Sequence, residues 1–251
     1  MAKKLAIVNK KGGVGKSTTA VNLSACLAEL GKSVILFDVD PQGNASSGVG
    51  IDKSKLEKSI YDVLIEEVPV KDVILETEMD KFSILPANIE LAGAEIELVS
   101  MISRESRLKK VVAEIDQLYD YILFDCPPSL GLLTLNALTA ADGILVPIQC
   151  EYYALEGLGQ LINTVELVKK NLNTNLVIEG VLLTMYDART NLSQQVIDEV
   201  RKYFDNNVYK SIIPRNVRLS EAPSFGQAIT LYDSSSKGAI AYRALAKEVI
   251  S

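Results

Sequence analysis

A glycine-rich stretch close to the amino terminus constrains the fold of this chain more than any other feature. Residues 7–23 read IVNKKGGVGKSTTAVNL. A short apolar run precedes the glycines, and an amphipathic helical pattern that ends at Gly31 follows them. Glycines let a backbone curl around oxygen atoms without Cβ clashes, and the start of a helix directs free N–H groups at an anion. Strand, glycine-rich loop and helix in this order therefore predict a phosphate-binding α/β domain.

The loop departs from the usual P-loop pattern at its first position. The pattern G-x-x-x-x-G-K-[ST] requires a glycine five residues before Gly15, and this chain has Lys10 there. A second lysine, Lys11, comes directly before the next glycines. We expect Lys16 to contact the β- and γ-phosphates and Ser17 to offer its hydroxyl to Mg²⁺. The plain alternative, a chance Gly-Lys-Ser in an ordinary turn, is disfavoured by the strand and helix patterns on either side.

The rest of the chain predicts an α/β fold with a single doubly wound, mostly parallel sheet and helices on both faces. Nearly continuous apolar runs alternate with longer helical patterns, as in a parallel sheet that is covered on both sides. The predicted strands are 4–9, 33–38, 82–87, 121–125, 143–148, 177–185 and 208–213. The predicted helices are 16–30, 104–117, 131–140, 154–171, 191–204 and 239–250. We interpret the charged segment 50–80 as helical excursions on one edge, and residues 1–251 as a single domain.

Composition excludes several classes of chemistry. The 251 residues contain no histidine, which rules out catalysis by histidine and metal binding through histidine. Cys26, Cys126 and Cys150 are far apart and form no CxxC pair, which argues against a disulfide framework or a zinc site. No apolar run approaches the length of about 18 residues that spans a bilayer. The amino terminus lacks a signal-peptide pattern, so we expect a cytoplasmic protein.

The acidic balance of the chain is uneven. The formal net charge is −6, yet residues 184–251 carry 9 Lys and Arg against 7 Asp and Glu. A chain that is acidic overall does not indicate nucleic-acid binding, but a local basic patch in the last third remains open.

A second group of candidate residues follows the predicted strand 33–38. Asp38 ends this strand, and the sequence continues Val-Asp-Pro-Gln-Gly-Asn with Asp40 as the second acid. Carboxylates at the carboxyl end of a parallel strand lie at the ligand edge of the sheet. In a chain without histidine, a carboxylate is the natural group to orient or deprotonate an attacking water. The alternative for Asp40 is an ordinary turn aspartate before a proline.

A third candidate ends the predicted strand 121–125. Four apolar residues followed by Asp125 match a Walker B pattern, in which a buried strand delivers one carboxylate to Mg²⁺. The pattern is weak alone and gains weight from its order after the glycine loop and the strand that ends at Asp38. We interpret Cys126 as a packed small side chain.

Together these motifs resemble one branch of the P-loop ATPases. The segment KGGVGKST is similar to the deviant Walker A motif of the ParA/MinD branch, and the resemblance to the ParA/Soj partition ATPases covers essentially the whole chain. In that branch the extra lysine reaches the nucleotide of a partner subunit, which implies that Lys11 helps ATP to hold a sandwich homodimer. The resemblance also implies that Asp40, in a switch I segment, activates water, that Asp38 supports Mg²⁺ or the loop geometry, and that DCPPSLG is switch II. The ATP-binding residues it implies in the loop are Lys11, Gly12, Gly13, Val14, Gly15, Lys16, Ser17 and Thr18, and those for Mg²⁺ are Ser17, Asp40 and Asp125.

The resemblance places the adenine against two segments late in the chain. In the family, a Pro-Arg-Asn segment after the last strand packs on the base, which implies Pro214 and Asn216 here. Met185 is a further candidate for the same pocket. The alternative for Asn216 is a helix N-cap.

The Soj-like segments imply an ATP-gated dimer that binds DNA without sequence preference and associates with the nucleoid. We expect Arg189 and Arg218 to contact DNA, although solvated side chains or local ion pairs remain the alternative for both. The family implies a ParB/Spo0J-type partner that stimulates hydrolysis. The glycine loop begins so early that we expect no amino-terminal helix-turn-helix domain. Further basic candidates are Arg201, Lys202, Lys237, Arg243 and Lys247.

Two other functions share the same loop. A MinD-like membrane ATPase needs a basic amphipathic carboxyl-terminal helix with bulky apolar residues. The apolar residues of the ending SSSKGAIAYRALAKEVIS are mostly alanine, so we expect no stable membrane association. A metabolic ligase or amidotransferase of the same branch needs a substrate pocket that the sequence does not indicate.

Overall fold

A computed structural model describes residues 1–151 and 157–251, and its centre is a sheet of eight strands. The strands are β1 (Lys3–Ile7), β2 (Val34–Asp38), β3 (Leu75–Glu76), β4 (Phe82–Leu85), β5 (Tyr121–Asp125), β6 (Gly143–Gln149), β7 (Val177–Tyr186) and β8 (Val208–Pro214). They lie side by side in the order β3-β4-β2-β5-β1-β6-β7-β8. All neighbours are parallel except β3, which runs antiparallel to β4.

Helices cover both faces of this sheet. They are α1 (Lys16–Glu29), α2 (Asn44–Gly48), α3 (Ile60–Ile65), α4 (Leu91–Glu97), α5 (Arg107–Ala113), α6 (Leu132–Ala140), α7 (Leu158–Asn171), α8 (Asn191–Phe204), α9 (Val217–Glu221), α10 (Ile229–Tyr232) and α11 (Lys237–Ile250). Helices α3 to α8 bury their apolar side chains in one core, and α1, α2 and α9 to α11 bury theirs in the other. Successive side chains of a strand point to opposite faces of the sheet, so one strand contributes to both cores. In β1, Ala6 packs in the first core, and its neighbours Leu5 and Ile7 pack in the second.

Helix α1 follows directly from the glycine-rich loop. Gly15 precedes its first residue with a φ of 88°, a left-handed conformation that glycine adopts without a Cβ penalty. The helix stops where Gly31 takes a φ of 84° and donates its N–H to the carbonyl of Ala28. The two glycines therefore set the length of the helix whose start faces the site.

The architecture confirms the predicted fold class, and each of the seven predicted strands is present. The segment 50–80 is more than helical excursions, because it contributes the antiparallel edge strand β3 as well as α3. The helix predicted at 104–117 is only the seven residues of α5, since the chain turns before β5. The helix predicted at 154–171 is seen as α7, which begins at Leu158. Residues 154–156 of that prediction lie outside the described residues. The described part of the chain contains no helix with the length and apolar character needed to cross a bilayer.

Two glycines meet back to back at the side of the site. Gly50 follows α2, Gly226 follows the turn after α9, and both have positive φ, at 87° and 66°. A Cβ on Gly226 would lie 2.6 Å from the Cα of Gly50, so no side chain fits there. This contact joins the segment after Asp40 to the segment that precedes α10.

We expect Gly226→Ala to lower the free energy of unfolding by about 2 kcal/mol or more, because alanine is strained at this φ and meets backbone. The matched control is Gly159→Ala in α7, where an added Cβ meets nothing within 4 Å. The control should be neutral or stabilise by up to about 1 kcal/mol. Urea unfolding followed by circular dichroism measures both variants, and equal midpoints would contradict the expectation.

Candidate nucleotide-binding site

Three parallel strands place the candidate loops side by side. Ile7, the last residue of β1, pairs in register with Asp125 of β5, and Asp125 pairs with Asp38 of β2 on its other side. The glycine loop, the Asp40 segment and the loop after Asp125 therefore leave the same edge of the sheet. Ligands of doubly wound sheets bind at this edge.

A cleft of about 580 Å³ opens at this edge. Among the residues that line it are eight of the predicted site residues: Gly12, Gly13, Gly15, Lys16, Ser17, Thr18, Asp40 and Met185. No side chain caps the start of α1, so its first N–H groups remain available at the wall of the cleft. A cleft with these walls suits a phosphate chain.

Two side chains that the sequence did not single out hold the glycine loop in place. Asn9 accepts a hydrogen bond from the N–H of Lys11 at 3.0 Å and donates its amide to the carbonyl of Pro147 at 2.7 Å. Thr184 of β7 donates its hydroxyl to the carbonyl of Val14 at 2.9 Å. The contacts with Pro147 and Val14 join residues more than 130 positions apart, so no local sequence signal could have revealed them.

Lys16 lies inside the site. Its side chain is buried, and its ammonium donates a hydrogen bond to the carbonyl of Lys11 at 3.2 Å. Burial lowers the pKa of Lys16, while the charges of Asp125 and Asp40 raise it. The ammonium thus lies beside two carboxylates, within the cleft where the predicted phosphates would be.

Asp125 is fully buried, and neither of its carboxylate oxygens has a hydrogen bond of normal geometry within the described residues. Burial, followed by the charge of Asp38, raises the pKa of Asp125 well above its usual value, and the nearby Ser17 hydroxyl lowers it only in part. An unpaired buried carboxylate is costly unless it receives a cation or a donor.

The pair of Ser17 and Asp125 fits a magnesium ion. Mg²⁺ takes oxygen ligands and is held by one or two protein groups together with substrate phosphates, so it needs no dense cluster of acids. Consistent with this, the described residues contain no group of three or more Cys, Asp or Glu side chains that could hold a metal alone. The predicted third ligand, Asp40, lines the same cleft.

Asp38 has a different environment from Asp125. One of its oxygens accepts both the N–H and the hydroxyl of Ser46 at 2.7 Å, and the other accepts the N–H of Asp40 at 3.3 Å. Burial raises the pKa of Asp38 to about 6, and the Ser46 hydrogen bonds oppose the shift. Of the two roles expected for Asp38, these contacts favour loop geometry, because the carboxylate is already used to fix Ser46 and the turn at Asp40.

Asp40 itself faces the cleft from the turn that follows β2. It is 7% exposed, and its carboxylate accepts a hydrogen bond from the N–H of Gln42 at 2.9 Å. Its place in the cleft wall suits the predicted work on water, and that role stays a prediction.

Two of the predicted loop residues lie outside the cleft. Val14 is buried in the loop, so only its backbone can serve a ligand. Lys11 lines a separate cavity of about 320 Å³ together with Lys10, Gly157 and Gln160. Lys10 donates to Gln160, whereas no hydrogen bond or ion pair of the Lys11 ammonium is found among the described residues.

The three residues predicted for the base surround a cavity of about 450 Å³ beside the cleft. Met185, Pro214 and Asn216 line it, and Met185 lies at its junction with the cleft. Met185 has a φ of 54°, a left-handed conformation that is uncommon for a side chain of this size. Asn216 caps α9 by accepting the N–H of Arg218 at 2.8 Å, so the alternative of a helix cap is confirmed, and the cavity wall is an additional place for it.

Both arginines predicted to contact DNA are exposed and take part in local ion pairs. Arg189 forms two hydrogen bonds with Asp187, and Arg218 pairs with Glu221 at 3.0 Å and with Asp233 at 3.5 Å. The alternative of local ion pairs is therefore seen in the structure, and contact with DNA stays a prediction.

Comparisons with known proteins place this chain among P-loop ATPases. A family model described as an AAA domain matches residues 2–178. The chain is 64% identical over 249 residues to the sporulation initiation inhibitor protein Soj of Bacillus subtilis (strain 168), covering 99% of this chain and 98% of that protein. It is 53% identical to the chromosome partitioning protein ParA of Myxococcus xanthus (strain DK1622), covering 98% and 87%. A crystal structure of cobyrinic acid a,c-diamide synthase from Mycobacterium smegmatis with bound ADP and magnesium has a TM-score of 0.88 and 40% identity, covering 100% of this chain and 94% of that one.

The parallel sheet, the glycine loop on Lys16 and the buried Asp125 define a P-loop nucleoside-triphosphatase with a deviant Walker A motif. Within that class, the chain belongs to the Soj/ParA family of chromosome-partitioning ATPases.

We expect Asp125→Asn to stabilise the nucleotide-free protein by about 2 kcal/mol at neutral pH, because it removes a buried charge without breaking a hydrogen bond of the carboxylate. The effect should grow with pH. The folded chain resists ionising Asp125 while the unfolded chain ionises freely above the ordinary aspartate pKa of about 3.9, so the parent loses stability as the pH rises.

The matched control is Asp38→Asn on the neighbouring strand. This change breaks hydrogen bonds with Ser46 or Asp40 and should destabilise the protein by about 1 kcal/mol or more. Chemical unfolding of both variants between acid and neutral pH measures the difference. A destabilised Asp125→Asn variant would show instead that the contacts of Asp125 with Lys16 and Ser17 outweigh the cost of its burial.

Proposed function

We propose that this protein is a partition ATPase that dimerises on ATP, binds DNA without sequence preference as the ATP-bound dimer, and releases it on hydrolysis. A ParB/Spo0J-type partner stimulates that hydrolysis. The observation that carries the proposal is Lys11, a lysine one residue from the cleft whose ammonium has no partner among the described residues. Because Lys11 lines a cavity separate from the cleft of its own subunit, its ammonium is better placed for the nucleotide of a partner subunit. We further propose that residues 1–251 act as one domain.

Nucleotide binding is the first step of the proposed cycle. Gly12, Gly13 and Gly15 leave room for the phosphates, and the N–H groups at the start of α1 donate to them. Lys16 places its ammonium on the β- and γ-phosphates. Ser17 and Asp125 would hold Mg²⁺, which would supply positive charge next to the phosphate oxygens. The adenine occupies the cavity of Met185 and Pro214.

Hydrolysis depends on Asp40 in this proposal. Its carboxylate lies in the cleft wall, and its neighbours Asp38 and Gln42 fix the turn that presents it. From there it orients water for attack on the γ-phosphate. Phosphoryl transfer requires mainly positioning and electrostatic stabilisation, so in this proposal hydrolysis stays slow until a partner completes the arrangement of groups around the attacking water.

DNA binding is assigned to two exposed arginines in the segments that follow β7 and β8. Arg189 follows β7 and Arg218 lies in α9, and residues between them line the base cavity. The dimer doubles this surface, which turns a weak contact into a useful one. The B. subtilis and M. xanthus relatives, which are named for sporulation control and chromosome partitioning, support a role on the nucleoid.

The two alternative functions have less support. A MinD-like membrane helix is disfavoured because α11 buries its apolar face, including Tyr242, Leu245 and Val249, in the core with α1. A ligase function follows the name of the M. smegmatis structure, but identity to Soj is 64% against 40% to that protein. We therefore assign partition as the function and expect no stable membrane association.

We expect Lys11→Ala to abolish the ATP-induced dimer and to reduce hydrolysis by roughly 100-fold, because it removes a cation from the partner's phosphates. Binding of ATP to the single subunit should persist through Lys16. The matched control is Lys10→Ala, the preceding lysine, which contacts Gln160 instead. Light scattering after gel filtration with and without ATP measures the dimer, and a Lys11→Ala dimer of parental stability would overturn the proposed role.

The proposed function as a whole is tested by titrating a random-sequence DNA duplex with no nucleotide, with ADP and with ATP, at two salt concentrations. Binding should require ATP, and its affinity should fall steeply with salt, since each phosphate contact releases counterions. The absence of DNA binding in every nucleotide state would overturn the DNA-binding part and leave an ATPase with a different cargo.

A further inference from the structure

Asp187 holds the guanidinium of Arg189 in a two-pronged contact. The Nε of Arg189 donates to one carboxylate oxygen at 2.9 Å, and a terminal nitrogen donates to the other at 2.6 Å. This is the geometry with which arginine binds a phosphate group. The same donors therefore cannot serve Asp187 and a DNA phosphate at the same time.

The position of the Asp187 carboxylate is fixed by its own turn. It accepts the N–H of Arg189 at 3.0 Å, and its carbonyl accepts the hydroxyl of Thr190 at 3.1 Å. The preceding carbonyl, of Tyr186, accepts the N–H of Arg215, the residue that follows β8. Asp187 is also the less exposed partner, with 20% of its side chain accessible against 85% for Arg189. When the guanidinium of Arg189 moves to another anion, the carboxylate of Asp187 therefore keeps its position and its negative charge remains nearby.

We propose that Asp187 is a built-in competitor for the DNA phosphate at Arg189, and that it sets the DNA affinity of the ATP-bound dimer below what the arginine alone would give. The inference rests on the proposed DNA binding and adds to it the residue that limits affinity. A limited affinity suits a protein that must leave DNA after each cycle, because every weakening of the contact speeds release.

Two charge effects act in the same direction. Asp187 occupies the Nε edge of the guanidinium, so Arg189 must exchange one anion for another before that edge can hold a phosphate, and the net gain there is only the difference between the two pairs. The uncovered carboxylate of Asp187 then repels the phosphate that has replaced it. Arg218 is a poorer place to test the idea, because Glu221 and Asp233 share it and removal of one leaves the other.

The test compares Asp187→Asn with the parent as full-length protein bound to ATP, on the same random-sequence duplex. Asparagine keeps the oxygen that accepts the N–H of Arg189, so the turn is preserved, and it removes the charge. The matched control is Asp198→Asn on α8, which removes the same charge from an exposed residue that contacts Gln194 and, within the described part of the chain, no arginine. Light scattering in ATP first checks that every variant forms the dimer to the same extent.

We expect Asp187→Asn to tighten DNA binding by roughly two- to twentyfold, since an exposed ion pair is worth up to about fivefold and a dimer contains two. Asp198→Asn should change affinity by less than about twofold. In an Arg189→Ala background, Asp187→Asn should raise DNA affinity no more than Asp198→Asn does, because the guanidinium for which Asp187 competes is absent.

These measurements test the competitor role of Asp187 separately from the proposed DNA binding. If the parent binds DNA and Asp187→Asn binds no tighter than Asp198→Asn, the competitor role is wrong and the DNA-binding function stands. A gain of equal size with and without Arg189 would also overturn it, since the effect would then be general electrostatics. If no variant binds DNA with ATP, both the function and the inference fail.

Discussion

Two buried carboxylates at adjacent strand ends, Asp38 and Asp125, are the constraint on which the site depends. The parallel register brings them together, and burial makes each charge costly. The chain compensates only the first, through the backbone and hydroxyl of Ser46. The second has no hydrogen bond of normal geometry within the described residues, and it lies near the Ser17 hydroxyl and the buried ammonium of Lys16. A site with one satisfied and one unsatisfied acid suits a cation that arrives with the substrate.

The glycine loop owes its shape to contacts from distant parts of the chain as much as to its glycines. Asn9 holds its start, Thr184 holds its middle, and Asn22 connects α1 to α10 by accepting the N–H of Ile229. These are buried polar groups with good partners, and such networks fix one arrangement of a loop. The loop is therefore preorganised, so little binding energy is spent on ordering it.

The sequence alone predicted seven of the eight strands, the order of the loops and about half of the residues that line the cleft, because strand periodicity and glycine chemistry are local signals. It did not predict β3 or the short helix α9, which have too few residues to show a period. The contacts of Ser46 and Thr184 were also beyond it, since they depend on residues distant along the chain. Asn216 shows a limit of another kind, because one residue both caps a helix and lines a cavity.

The edge strand β3 has a consequence for how this protein behaves in a crowded cell. It is only two residues long, both are exposed, and it runs against the direction of the other seven strands. Its Glu76 carboxylate accepts a hydrogen bond from Ser83 of β4, which places a charge at the rim. An exposed edge strand presents unpaired N–H and C=O groups that can pair with a strand of another chain. A short, charged and antiparallel edge strand offers few such groups. This small element thus protects one of the two edges of the sheet from edge-to-edge aggregation.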